Sequence, residues 1–190
     1  WWREVVETAG SGAARAHEVA GPLHELIRDF GLPVAVLDRL IAARRWDIHS
    51  DPHEGAEGLA SYLEDTGAGL MWLAARALGA PDAAEDAVRA YGWASAAAMY
   101  IRAVPELKAR GRRPLPEGVS EQDLSRLGLE KLAEARKARR TVPKEISPAL
   151  LVGWQTEGVL RQSLAGRSSP GLSEVRKRWA LLRQAVTGRW

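Results

Sequence analysis

YGWASAAAMYIRAVPELKARGRRPLP, residues 91–116, carries the clearest motif of the chain. It opens as an Ala-rich helix, built on the residue of highest helix propensity. It runs past Pro105 and leaves through a basic turn, Arg110-Gly111-Arg112-Arg113, onto Leu115-Pro116. Positions 96, 99, 103 and 107 are spaced three, four and four, so they share one helix face. They read Ala, Met, Ala and Leu, a coherent apolar stripe. Such a stripe lines a dry cavity, fills the core or meets a partner helix, and the sequence leaves the three open.

The same period extends outward in both directions, with no alternating strand. Trp1 to Thr8 reads as the tail of a helix stopped at Gly10-Ser11-Gly12. Ala13 to Phe30 is amphipathic, interrupted at Gly21-Pro22 and closed by Gly31, after which Pro33 opens the next helix. Val34, Leu37, Leu40 and Ile41 keep a buried stripe. Leu59 to Leu78 is a long helix whose Gly67-Ala68-Gly69 lets a neighbouring helix or a ligand come close. Beyond Pro116, Ser120 and Asp123 form a capping pair. Gly128 is a candidate break in the helix that follows, which runs through Arg140; Ala149 to Leu164 is helical, and a last helix runs from Ser173 to Gly188. The expected fold is all-α: one domain over 1–190, of about seven or eight helices.

Composition narrows the function classes. The chain has no cysteine, which removes disulfides and thiolate zinc sites and fits a reducing compartment, with a cytoplasmic placement expected. No apolar run approaches the ~18 residues of a spanning helix, so any membrane association is expected to be peripheral. The net charge of +3 hides an asymmetry: residues 1–95 hold 8 Lys/Arg against 15 Asp/Glu, and residues 96–190 hold 19 against 9. A basic half suits phosphate-bearing partners or is a solvated helix surface. The run Arg136-Lys137-Ala138-Arg139-Arg140 lacks interleaved aromatics, and no nucleic-acid partner is expected. The opening Trp1-Trp2-Arg3-Glu4 has no helix cap, as though it lay inside an element, so a segment upstream is expected.

Residues 91–116 resemble the second aspartate-rich segment of the squalene/phytoene synthase family, roughly G-x-A-x-Q-x-x-N-x-x-R-D-x-x-x-D-x-x-x-G-R-x-x-L-P. Gly92, Ala94, Arg102, Gly111, Arg112, Leu115 and Pro116 keep that frame. The family's Gln falls at Ala96, its Asn at Met99 and its two Asp at Ala103 and Leu107. Tyr62 to Leu70 resembles the family's tyrosine-initiated, Gly/Ala-rich helix, and Trp1-Trp2-Arg3-Glu4 a segment just downstream of its first aspartate motif. Ala43-Arg44-Arg45-Trp46-Asp47 and Thr187-Gly188-Arg189-Trp190 look like a divergent branch, similar to the mitochondrial one implicated in respiratory complex I assembly.

The resemblance implies an isoprenoid-synthase fold and the head-to-head condensation of two prenyl diphosphates, with Mg²⁺ bridging carboxylates to the leaving diphosphate. Mg²⁺ needs oxygen ligands. A stripe of Ala, Met, Ala and Leu supplies none, so no metal or other cofactor is expected. The expected protein is a non-catalytic member binding an isoprenoid diphosphate, a lipid or a partner protein at a membrane surface. Tyr62, Met99, Ala103 and Leu107 are the candidate ligand-lining residues. Arg102 and Arg112 either attract a phosphate without metal, or pair with a neighbouring acid and shape the turn. The alternatives are an active prenyltransferase with a relocated metal site and a purely structural helical module.

Three other features of the sequence each admit two readings. Asp47-Ile48-His49-Ser50-Asp51-Pro52-His53 interleaves carboxylates and imidazoles at helical spacing, but Pro52 forces the preceding residue into extended backbone, so a polar helix-end loop is expected over a metal face. His17 and His24 are expected to be exposed or capping. Trp72 and Trp93 either line an apolar tunnel or pack in the core.

Overall fold

A computed structural model describes residues 1–10, 16–48, 51–167, 173–188 and 190. Among these residues the chain forms α1 (Trp2–Glu7), α2 (Ala20–Phe30), α3 (Val34–Ala43), α4 (Gly55–Leu63), α5 (Gly69–Ala77), α6 (Glu85–Ala109), α7 (Glu121–Lys137), α8 (Ser147–Leu150), α9 (Thr156–Leu164) and α10 (Glu174–Thr187), with no strand. A π turn at Glu64–Ala68 joins α4 to α5 as one rod, and α8 is a single turn. Eight full helices therefore make up the described fold, as the periodicity predicts.

The π turn has a local cause. Thr66 Oγ1 donates to the carbonyl of Tyr62 at 2.6 Å, competing for the acceptor an α-helical N–H would use. The widened turn carries Gly67 and Gly69 against α6. A Cβ on Gly67 would lie 2.2 Å from the Ala96 Cβ, and one on Gly92 would lie 2.9 Å from the Ala68 Cα. The close approach that the small residues permit is therefore to a neighbouring helix.

Helix α6 is the central post. Tyr91, Trp93, Ala94, Ala97, Ala98, Ile101 and Val104 are buried around most of its circumference, as expected of a helix surrounded by others. The rod of α4 and α5 packs on one side, and α7 and α9 pack on another. Trp72 and Trp93 both lie in this core, with Trp93 Nε1 donating to the Ala60 carbonyl at 3.2 Å. A second, smaller core forms where Val6, Ile27, Leu32, Val36 and Leu37 meet Leu73 of α5.

Local signals hold at three helix ends. Gly31 closes α2 in the left-handed conformation at φ 59°, and Pro33 stands at the N-cap of α3. Ser120 and Asp123 form a complete capping box on α7. Helix α6 runs through Pro105.

Four expectations are corrected. Gly21-Pro22 does not interrupt a helix: among the described residues α2 begins at Ala20, and Pro22 sits in its first turn, where its missing N–H costs nothing; Ala13 itself lies outside the described residues. Gly128 does not break α7, because it is the contact point for Leu160, whose methyl carbons lie 3.0 Å from where a Cβ would be. That helix also ends at Lys137 rather than Arg140. The span from Ala149 to Leu164 is not one helix: α8 passes through a 3-10 turn at Leu151–Gly153 before α9 starts. Gly153 is required there, since a Cβ would meet the Tyr91 hydroxyl at 2.5 Å. Parts of other expected features, Ser11-Gly12, His49-Ser50, the loop up to Gly171 and Arg189, lie outside the described residues.

Candidate functional site

The rod of α4 and α5 lies along α6 through the Gly67–Gly92 contact, and Ala149 of α8 and Val152 of the 3-10 turn stand on the far side. The space between is a groove of about 510 Å³. Its floor and walls are apolar: Leu70, Met71 and Ala74 from α5, Ala96, Met99 and Ala103 from α6, and Ala149 and Val152 opposite. Three of the four stripe positions thus line one cavity. Leu107, the fourth, is half-buried against the core and lies outside the groove lining.

The groove ends at a polar and aromatic cluster. Tyr62, Tyr100 and Arg44 reach its lining. Behind them, Asp47 accepts a hydrogen bond from the Tyr62 hydroxyl at 2.8 Å and one from Arg44 Nη1 at 3.1 Å. Arg112 donates to the Asp47 carbonyl at 2.5 Å and stacks over the Trp46 ring at 5.6 Å. His53 lies parallel to Trp46 with ring centroids 3.9 Å apart. Its Nε2 is 3.1 Å from the Tyr100 hydroxyl, which in turn donates to the Pro114 carbonyl at 2.6 Å. The basic turn after α6 is thereby tied to the segment between α3 and α4.

Burial sets the protonation states. It pushes His53 down to about 4, against a weaker opposing pull from Asp47, so the imidazole is neutral near pH 7. Burial and then the Asp47 contact push Tyr62 up to about 12, and burial also raises Tyr100, so both phenols keep their protons. Tyr62 and Tyr100 therefore act as hydrogen-bond donors, and His53 as a neutral ring.

The named candidates fall in different places. Tyr62, Met99 and Ala103 come together in the groove. Arg112 is engaged by Asp47 and Trp46, and Arg102 is exposed outside the groove lining. The cation that does reach the groove is Arg44. Asp47 is engaged by Tyr62 and Arg44, and His53 by Trp46 and Tyr100; His49 lies outside the described residues. His24 is buried rather than exposed, and donates to the Val5 carbonyl at 2.6 Å. His17 is exposed and accepts from the Val19 N–H at 3.1 Å. Glu64 and Asp65 point apart, to Arg89 and Arg39. In the basic run, Arg136 pairs with Glu157 and Arg139 donates to the Gly188 carbonyl.

The described residues do not fit a Mg²⁺ site in this groove. Its single charged lining residue among them is a cation, and the stripe facing it carries methyl, thioether and methyl groups. The aromatic cluster went unread in the sequence because Asp47 and Arg112 are 65 residues apart and neither lies on a periodic face. Its members Asp47, His53, Tyr62 and Arg112 are each singled out in the sequence, but as separate features.

Comparisons with known proteins agree with this architecture. A family model described as squalene/phytoene synthase matches residues 1–170, so α10 lies beyond the match. NADH dehydrogenase (ubiquinone) complex I, assembly factor 6 of Mus musculus is 26% identical over 185 residues, covering 85% of this chain and 56% of the relative. The same factor of Bos taurus is 25% identical over the same span. The chain spans about half the length of these curated relatives. Squalene synthase HpnC from Alicyclobacillus acidocaldarius superposes with a TM-score of 0.70 at 20% identity, covering 89% of this chain and 73% of that one, which is a likeness of fold.

Proposed function

The chain belongs to the squalene/phytoene synthase family, and from that premise we propose that it is a non-catalytic member that holds an isoprenoid or similar lipid chain in the α5–α6 groove, at a membrane surface. The observation that carries this reading is the groove wall itself. Where the family's polar and acidic residues are expected, Ala96, Met99 and Ala103 face a cavity and make it apolar. An apolar cleft with a few polar groups at one end suits a chain-like ligand with a small head, oriented by Tyr62, Tyr100 and Arg44. Its volume of about 510 Å³ lies within the ~300–1,000 Å³ range of single-ligand pockets, which favours one chain over the two that a condensation brings together.

A second reading, docking of a partner protein, is favoured by the relatives named as complex I assembly factors. The groove then receives a partner's apolar side chains instead of a lipid.

Equilibrium binding of farnesol and of farnesyl diphosphate, with and without Mg²⁺, tests the choice. Binding of either chain that ignores Mg²⁺, and that weakens by about tenfold or more when Ala103→Trp fills the groove, supports the lipid reading. Affinity for the diphosphate that requires Mg²⁺ overturns it in favour of an active prenyltransferase. No binding of either overturns it in favour of the partner-protein or purely structural reading.

A further inference from the structure

Helix α10 is built inside out. Its one buried side chain is polar: Gln184 donates to the Leu150 carbonyl at 2.8 Å and to the Tyr91 hydroxyl at 3.3 Å, with Lys177 and Ala180 half-buried beside it. Four of its five large apolar residues face away from the body, Leu181 alone lying toward the Gln184 side. Val175, Trp179, Leu182 and Val186 are 71%, 67%, 55% and 76% exposed. Their spacing is four, three and four, so at about 100° per residue they form one stripe, roughly opposite Gln184. Arg176 and Arg183 flank that stripe on one side and Arg178 on the other. Arg183 also faces Glu157. The helix has a single acid, Glu174, which pairs with Lys177 at 2.7 Å.

We propose that α10 lies flat on an anionic lipid bilayer, with Val175, Trp179, Leu182 and Val186 at the boundary between headgroups and acyl chains. This deepens the membrane-surface part of the reading above and is independent of the groove. Four arguments select this occupant. Trp and aliphatic residues on one face, with arginines at its edges, is the pattern of an interfacial helix, the arginine stems lying along apolar surface while their heads reach phosphates. The helix carries four basic residues against one acidic, the sign that an anionic leaflet attracts. Among the described residues no helix is long and apolar enough to cross a membrane, so the contact is one of lying on the surface. A second copy of the chain is disfavoured, since pairing two α10 stripes sets arginines against arginines. One 14-residue helix face also supplies less area than the ~1,200 Å² of a stable interface.

The test is flotation of the full 190-residue chain with vesicles of phosphatidylcholine, alone and mixed with phosphatidylglycerol. The chain should float with the mixed vesicles, less so as salt rises. Trp179→Ser with Leu182→Ser should weaken this by about tenfold or more while leaving the melting temperature unchanged, because both side chains are exposed. Arg176→Gln with Arg178→Gln should weaken it and flatten the salt dependence. The proposal is overturned if the chain ignores mixed vesicles, or if it binds them equally well in both variants. It is also overturned if the apolar variant instead abolishes a concentration-dependent dimer, which makes a second copy the occupant. A chain that ignores vesicles yet binds farnesol in solution loses the membrane contact and keeps the groove reading.

Discussion

His53 donates its Nε2–H to the hydroxyl of Tyr100 across 3.1 Å, because that hydroxyl has already given its own proton to the Pro114 carbonyl. The imidazole is held neutral between Trp46 and Tyr100, and burial lowers its folded-state pKa from 6.5 to about 4. Below pH 6.5 the unfolded chain takes up a proton that the folded chain refuses until about pH 4. The stability from this neutral imidazole is therefore complete above pH 6.5 and is lost as the pH falls toward 4. With solvent screening of a partly buried ring, the loss should be about 1–2 kcal/mol. His53→Gln keeps an N–H donor for Tyr100 and does not titrate. Urea unfolding at pH 7 and pH 4.5 should show the parent losing more stability than this variant, and equal losses would remove His53 as the cause.

The contact of Gly67 with Ala96 makes a second, reciprocal prediction. Gly67→Ala places a Cβ 2.2 Å from that of Ala96, so α6 and the π turn must separate. The cost should be about 1–3 kcal/mol, read as a lowered melting temperature. Adding Ala96→Gly removes the clashing atom, and the next neighbours, the Gly92 carbonyl oxygen and the position-96 Cα, stand at 3.4 and 3.5 Å. Most of the loss should return, less the ~0.5–1 kcal/mol that a helical glycine costs. A double variant no better than the single one would mean that the close approach does not limit stability.

How much of this was legible depended on distance along the chain. Gly31 and Pro33, the passage of α6 through Pro105 and the Ser120–Asp123 box are local, and each was readable within one helical turn. The apolar stripe on α6 was readable too, but whether it faced a cavity or the core was not. The answer is split, with Met99 and Ala103 in the groove and Leu107 against the core. Gly128 misled because its role is set by Leu160 of another helix. The polar end of the groove was hidden for the same reason: Asp47, His53, Tyr100 and Arg112 meet only when the loop before α4 folds under the turn after α6.

Ser120 permits a direct measurement of one local term. Its side chain accepts from the Asp123 N–H at 3.1 Å and donates to the Asp123 carboxylate at 2.5 Å. The Ser120 hydroxyl, then its backbone N–H, then Arg126 hold that carboxyl below the usual carboxylate range. Ser120→Ala should destabilise the chain by about 1 kcal/mol and raise the Asp123 titration, followed by carboxyl NMR, while Ser120→Thr retains most of the cap. An unmoved Asp123 titration would show that the backbone N–H and Arg126 set it without the hydroxyl.

Restoring aspartates at the two family positions should not restore a metal site. Ala103→Asp places a carboxylate on the groove wall, where Arg44 is the charge already present and a chelating partner is lacking among the described lining residues. Leu107→Asp does not supply that partner, because position 107 is packed against the core rather than facing the groove. Mg²⁺ needs several oxygens at strict octahedral geometry, and one isolated carboxylate does not hold it. Burying part of a carboxylate at position 107 should instead cost about 1–3 kcal/mol. Calorimetric titration of Mg²⁺ into Ala103→Asp, and into the pair with Leu107→Asp, should give no more heat than titration into the parent. A Mg²⁺ affinity gained by either would mean that further oxygen ligands converge on this wall, so that loss of the aspartates alone, and not remodelling of the groove, separates the parent from a metal site.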